Sequence, residues 1–246
     1  MYKYIKNKII ILKKMKNPTF SLDGLFDFSD LSQNTQRHLR RVYSYLCSGI
    51  ALAILCFILA QFCPSLSGFF IALGAFALIA DILLICMNRN STWGRRFSFA
   101  SLYGYASSVG GGLGGVIANM DTESRMNNYR YCMSAFVSAL TIFVMVSVFS
   151  TLTSNRAGIY GLATISSLIL SIISCFFFGG SAILGVILGM LYVVTDTQNI
   201  IYRTKSGQQD AVMDAKLLFV DLVKIFYKLY EHMQKKDKEK KNKKDK

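Results

Sequence analysis

Six stretches of this chain, residues 42–62, 66–87, 97–119, 132–152, 158–178 and 181–201, are each about 20 residues long and mostly apolar. That is the length an α-helix needs to cross hydrocarbon about 30 Å thick at 1.5 Å per residue. The charges avoid them. Residues 1–41 hold nine basic and three acidic side chains, residues 203–246 hold thirteen and seven, and the long middle holds six and four. A soluble globule needs charge along its whole length to keep a wet surface, so this distribution argues against one. The 52% content of hydrophobic residues excludes a disordered chain, and the absence of a strict glycine period excludes a collagen-like one. A multi-span membrane protein with basic ends remains.

The breaks between the spans are short: Pro64-Ser65, Asn88-Arg89-Asn90, Asp121-Thr122-Glu123, Ser154-Asn155-Arg156 and Gly179-Gly180. They leave no room for a separate soluble domain. The third span is crowded with Gly104, Gly110, Gly111, Gly112, Gly114 and Gly115, small residues that let helices approach closely. A phosphate-binding loop would need a Lys-Ser/Thr ending that this run lacks. Cys47, Cys56, Cys63, Cys86, Cys132 and Cys175 form no Cys-x-x-Cys pair, and five lie in apolar runs, so they read as packing or lipid-facing thiols. The short apolar run Ile9–Leu12, bracketed by lysines, is not expected to be a signal peptide.

A seventh segment, 213–233, is less apolar. Its charges are Asp214, Lys216, Asp221, Lys224, Lys228 and Glu231. On a helical wheel all but Lys216 fall in one stripe about 100° wide. Such a helix either lies on the membrane surface or packs inside a bundle with its polar stripe toward a cavity. The distribution of arginine and lysine favours a cytoplasmic N-terminus, and six full crossings return the lysine tail to the same side. The expected architecture is therefore all-α: six long transmembrane helices around a semi-polar seventh that inserts without a clean traverse. The expected divisions are a basic cytoplasmic segment (1–41), a seven-helix domain (42–233) and a lysine-rich cytoplasmic tail (234–246).

Ionisable groups inside spans are costly and therefore functional candidates. Asp81 and Asp196 are the two within the six long spans, and Asp221 lies in the seventh segment. A helical hairpin folded across the polar turn 204–210 brings Asp196 and Asp221 to comparable depth. Two close carboxylates in a low dielectric do not both ionise easily, so a pair sharing one proton is a pH-sensitive latch. Deprotonated, the same pair offers oxygen ligands to a hard cation such as Ca²⁺, bound transiently. The competing reading is local satisfaction. Asp221 has Lys224 at i+3, and Asp196 has hydroxyl and amide neighbours. Asp81 either lines the same cavity or snorkels toward an interface with Arg89 as a latch. His38 and His232 lie in the basic flanks and read as ordinary solvated histidines.

The segment Thr35-Gln36-Arg37-His38-Leu39-Arg40-Arg41-Val42-Tyr43 resembles the entry to the first span of the Bax inhibitor-1 family. So do Asp196-Thr197-Gln198-Asn199-Ile200-Ile201, Gly207-Gln208-Gln209-Asp210 and Leu218-Phe219-Val220-Asp221, and the closing lysine tail. The resemblance implies seven helices with the seventh central. It also implies an Asp196/Asp221 pH sensor gating a Ca²⁺ leak across the endoplasmic reticulum membrane, and protection of cells from stress-induced death. Animal members often carry another aspartate where this chain has Leu217, and bacterial members latch with a second-span arginine that has no counterpart here before Arg89. Lys243 and Lys244 resemble a dilysine retrieval signal of that membrane, and the same cluster suits anionic lipid.

The leading expectation is thus a pH-regulated Ca²⁺ leak channel with no cofactor and no enzymatic activity. Its expected partners are the lipid bilayer, Ca²⁺ and cell-death regulatory membrane proteins, not nucleic acid. The alternative is a non-conducting membrane regulator of cell death that acts by binding other membrane proteins. An intramembrane aspartyl protease is disfavoured, because neither aspartate follows Gly-x-Gly.

Overall fold

The computed structural model describes residues 31–86, 92–152, 182–207 and 210–244, with isolated positions between 163 and 169. Among them are six α-helices, which we label α1 (Gln33–Phe62), α2 (Ser67–Cys86), α3 (Thr92–Ala118), α4 (Thr122–Leu152), α5 (Ala182–Lys205) and α6 (Ala211–Lys244). A single 3₁₀ turn, Pro64–Leu66, links α1 to α2. Of the fifth expected span, 158–178, only isolated positions are among the described residues.

Local chemistry sets the helix ends. Ser32 caps α1, its hydroxyl accepting the Thr35 amide at 3.3 Å. Pro64 cannot continue the ladder, and the chain turns at once into α2. Asp121 accepts the Ser124 amide at 3.2 Å and opens α4. Gly207 sits at a positive φ of 83° just past the end of α5, the conformation a helix terminus favours and other residues resist. α1 begins well before residue 42 and α6 continues well beyond 233, so the basic flanks are in part extensions of membrane helices.

Close packing follows the glycines. A Cβ on Gly110 would fall on the carbonyl of Ala53 in α1, and one on Gly111 would fall on the ring of Phe70 in α2. α3 is thereby clasped between α1 and α2, the small-residue packing that apolar solvent favours. These same glycines and serines dilute hydropathy. Four described segments, all outside α3 and α6, are long and apolar enough to cross a membrane by composition alone. The third expected span is a helix, but its composition serves helix contact in place of lipid contact. α2 does the reverse, exposing Phe69, Ile71, Phe76, Leu78, Ile79 and Ile82 outward. In water such a surface would aggregate; facing acyl chains it is at equilibrium.

α6 is central. It buries Ala215, Leu218, Phe219, Leu222, Ile225 and Phe226 against its neighbours. It runs antiparallel to α5, with Arg203 opposite Asp214 and Gly189 against Ile225. It runs parallel to α1: His38 meets Asp214, Gly49 lies beside Phe219, and Phe57 and Phe226 share the wall of one crevice. Farther along, Tyr230 and Gln234 reach Asn128 near the start of α4, at 3.0 and 2.6 Å. The expectation of partial insertion is corrected by this register. α6 passes the full depth of the bundle, so Gln33 and Lys244 stand at opposite ends of it.

Candidate functional site: three polar layers on the central helix

Charged side chains of α6 meet partners from the surrounding helices at three depths. At the outermost, Asp214 is 2% exposed. Its Oδ2 meets His38 Nε2 of α1 at 2.8 Å, and its Oδ1 accepts Arg203 Nη2 of α5 at 2.6 Å. His38 is itself 2% exposed, so its reading as a solvated flank residue is overturned. The cause is the parallel pairing of α1 and α6, which carries their first turns inside the bundle. His232, by contrast, is exposed as expected.

Next, Lys216 reaches across to Asp81 of α2, and Ser101 of α3 donates its hydroxyl to the same carboxylate. Asp81 therefore turns inward, but to a lysine and not to the aspartate pair. Arg89, its other expected neighbour, lies outside the described residues. A carboxylate held by an ammonium and a hydroxyl in a weakly polar interior depends on both. Lys216→Met is expected to lower stability by about 2 kcal/mol, discounted because Asp81 keeps 27% side-chain exposure. Adding Asp81→Leu should restore most of the loss. Thermal melts of the single and double variants in detergent check this, and strict additivity would refute the pairing.

The third layer holds Asp196 and Asp221, brought together as the spacing predicts. Their side chains are neighbours across the α5–α6 hairpin. Asp221 is 1% exposed. Its Oδ1 accepts Lys224 Nζ at 3.0 Å, whereas its Oδ2 is buried with no conventional hydrogen bond among the described residues. Lys224 also stands over the ring of Tyr192, 4.5 Å from its centre. Asp221 is thus paired locally with Lys224 and at the same time lies beside Asp196.

Beside this layer the hydroxyls of Tyr43, Ser147 and Thr197 converge from α1, α4 and α5, all buried and without a hydrogen bond of ordinary geometry. Gln198 donates to the Ser150 carbonyl one turn away. Below the pair a cavity of about 820 Å³ extends toward the Asn128 end, with Tyr105, Tyr192, Lys224, Lys228, Tyr230 and Gln234 among its walls. Among the described residues no three or more His, Cys, Asp or Glu side chains gather as a metal site. The four described cysteines Cys47, Cys56, Cys63 and Cys132 are free thiols. α6 extends through Lys244 at the far end, and the side chains of Lys243 and Lys244 lie outside the described residues.

The sequence profile of the family described as "Inhibitor of apoptosis-promoting Bax1" matches residues 35–238. A "Probable Bax inhibitor 1" of Paralichthys olivaceus is 27% identical over 238 residues, covering 91% of this chain and 96% of the relative. "Bax inhibitor 1" of Homo sapiens is 27% identical over 237 residues, with 91% and 96% covered. "Bax inhibitor 1" of Arabidopsis thaliana is 28% identical over 223 residues, covering 86% of each.

Proposed function

The chain belongs to the Inhibitor of apoptosis-promoting Bax1 family, and on that footing we propose that it is a pH-regulated Ca²⁺ leak channel of the endoplasmic reticulum membrane with an anti-apoptotic, cytoprotective role. The observation that carries the reading is the pairing of the Asp196 and Asp221 side chains inside the bundle, beside a Lys224 that borders a large cavity. One shared proton joins α5 to α6 at that point. Its loss leaves two carboxylates facing one ammonium, and the hairpin repacks. Ca²⁺ is the permeant ion, which the pair meets in passing.

Arg37, Arg40 and Arg41 at the start of α1, with Arg95 and Arg96 at the start of α3, assign that end of the bundle to the cytosol. The lysine tail then lies on the other side, where a cytosolic receptor would not read Lys243 and Lys244. The endoplasmic reticulum assignment therefore rests on the family resemblance. The deciding experiment is Ca²⁺ flux from liposomes across pH. Wild type should show a pH-dependent leak, and Asp196→Asn and Asp221→Asn should each flatten it. Unchanged pH dependence in both would refute the mechanism.

A second reading, a non-conducting regulator acting through other membrane proteins, draws on the broad outward face of α2 with Phe69, Phe76 and Ile79. Liposomes that show no flux at any pH would favour it.

A further inference from the structure

We infer that Lys224 is a tethered counter-cation that governs access of divalent cations to the Asp196/Asp221 pair. The inference rests on the reading of that pair as part of a cation path. The ammonium hydrogen-bonds Asp221 Oδ1 at 3.0 Å and lies over the Tyr192 ring, so it is held from two sides. Its side chain is 49% exposed while that of Asp221 is 2% exposed. The lysine therefore stands between the open cavity and the buried carboxylate.

The second oxygen, Oδ2, is buried and lacks a conventional partner. An incoming cation completes that oxygen only by coming close to a resident positive charge. Two like charges a few ångströms apart in a weakly polar interior repel by an amount worth at least a tenfold change in binding. The rest of the electrostatic surroundings do not cancel it. Arg203 adds positive charge toward Asp196, Asp214 opposes it, and Lys228 is already engaged by Glu231 at 3.2 Å. Lys224 has room to leave, because its stem borders the cavity. A divalent ion and the Lys224 ammonium are thus alternative occupants of one place.

The role also accounts for a local sequence choice. At i+3 from Asp221, a lysine reaches the carboxylate from within its own helix and follows it wherever α6 moves. Charge balance at the pair then survives repacking of α5 against α6, which a lysine on another helix would not guarantee.

The test uses full-length protein in detergent and Tb³⁺, whose luminescence is excited through nearby tyrosines such as Tyr192 and Tyr105. The signal is titrated at alkaline pH and competed with Ca²⁺. Lys224→Met should tighten the component that Asp221→Asn abolishes by roughly tenfold or more. Lys224→Arg should keep the wild-type weakness. Where Lys224→Met yields no folded protein, Lys224→Gln, which keeps much of the stem beside Tyr192, carries the same readout. Equal affinity in wild type and the neutral variants overturns the inference, as does looser binding. Flux is read in parallel. Tightened Tb³⁺ binding with no flux in any variant would retain the counter-cation and discard the leak. A pH-dependent leak with unaltered Tb³⁺ binding would do the opposite.

Discussion

Gly110→Ala should leave little folded, monodisperse protein after extraction. A single methyl there has no free volume, because the Ala53 carbonyl of α1 already occupies the place where it would point. The obstacle is backbone on both sides, so no rotamer change relieves it, and α1 and α3 must separate along their contact. Overpacking against side chains costs typically 1–3 kcal/mol; against backbone the cost is expected above about 3 kcal/mol. Gly112, two residues on, is the internal control. A Cβ there meets only Ile71 at 3.8 Å, an ordinary contact. Gly112→Ala should be neutral or gain about 0.5–1 kcal/mol from helix propensity. Size-exclusion profiles and thermal melts of the two variants check the contrast. Equal behaviour would mean that α1 and α3 are not in this register.

Asp214→Ala should be the most damaging single change among the charged residues. It strands the His38 imidazole and the Arg203 guanidinium, both brought to one buried carboxylate from different helices. Arg203 Nε is already without an ordinary partner among the described residues. Breaking a buried ionic contact in this way costs about 3–5 kcal/mol. In a chain of this size that corresponds to a fall in melting temperature on the order of 10 °C. Asp214→Asn keeps a hydrogen-bond acceptor for one partner and should fall between the alanine variant and wild type. A melting temperature within about 2 °C of wild type for Asp214→Ala would refute the buried network.

Much of this arrangement is legible in the chain before any coordinates. The long apolar runs give the helices, and the polar turn at 204–210 gives the hairpin that joins Asp196 to Asp221. The partners of the other charged residues were harder to read. Asp81 and Lys216 are 135 residues apart, and no periodicity connects them. One signal was available: Lys216 alone falls off the charged stripe of its helix, so it had to answer to a different neighbour. His38 carries no such mark. Its burial depends on α1 lying parallel to α6, a fact of packing that neither hydropathy nor charge distribution encodes. The same fact decides how far the seventh helix penetrates. Charge counting treats a basic tail as an anchor and ignores the gain when Asp214, Lys216 and Asp221 find partners inside.

The central position of α6 has a consequence for how the molecule is made. By length and composition this helix is not among the described segments apolar enough to cross a membrane, and its charged Asp214 and Lys216 are met by His38, Arg203 and Asp81 on three other helices. Hydropathy therefore cannot thread it during synthesis in the way it threads α1 or α2. It enters when a socket already lined with the complementary groups is there to receive it. Assembly of this protein is thus a templated event. A lesion at Asp81 or His38, far from the C-terminal helix in sequence, should appear first as a failure to install that helix.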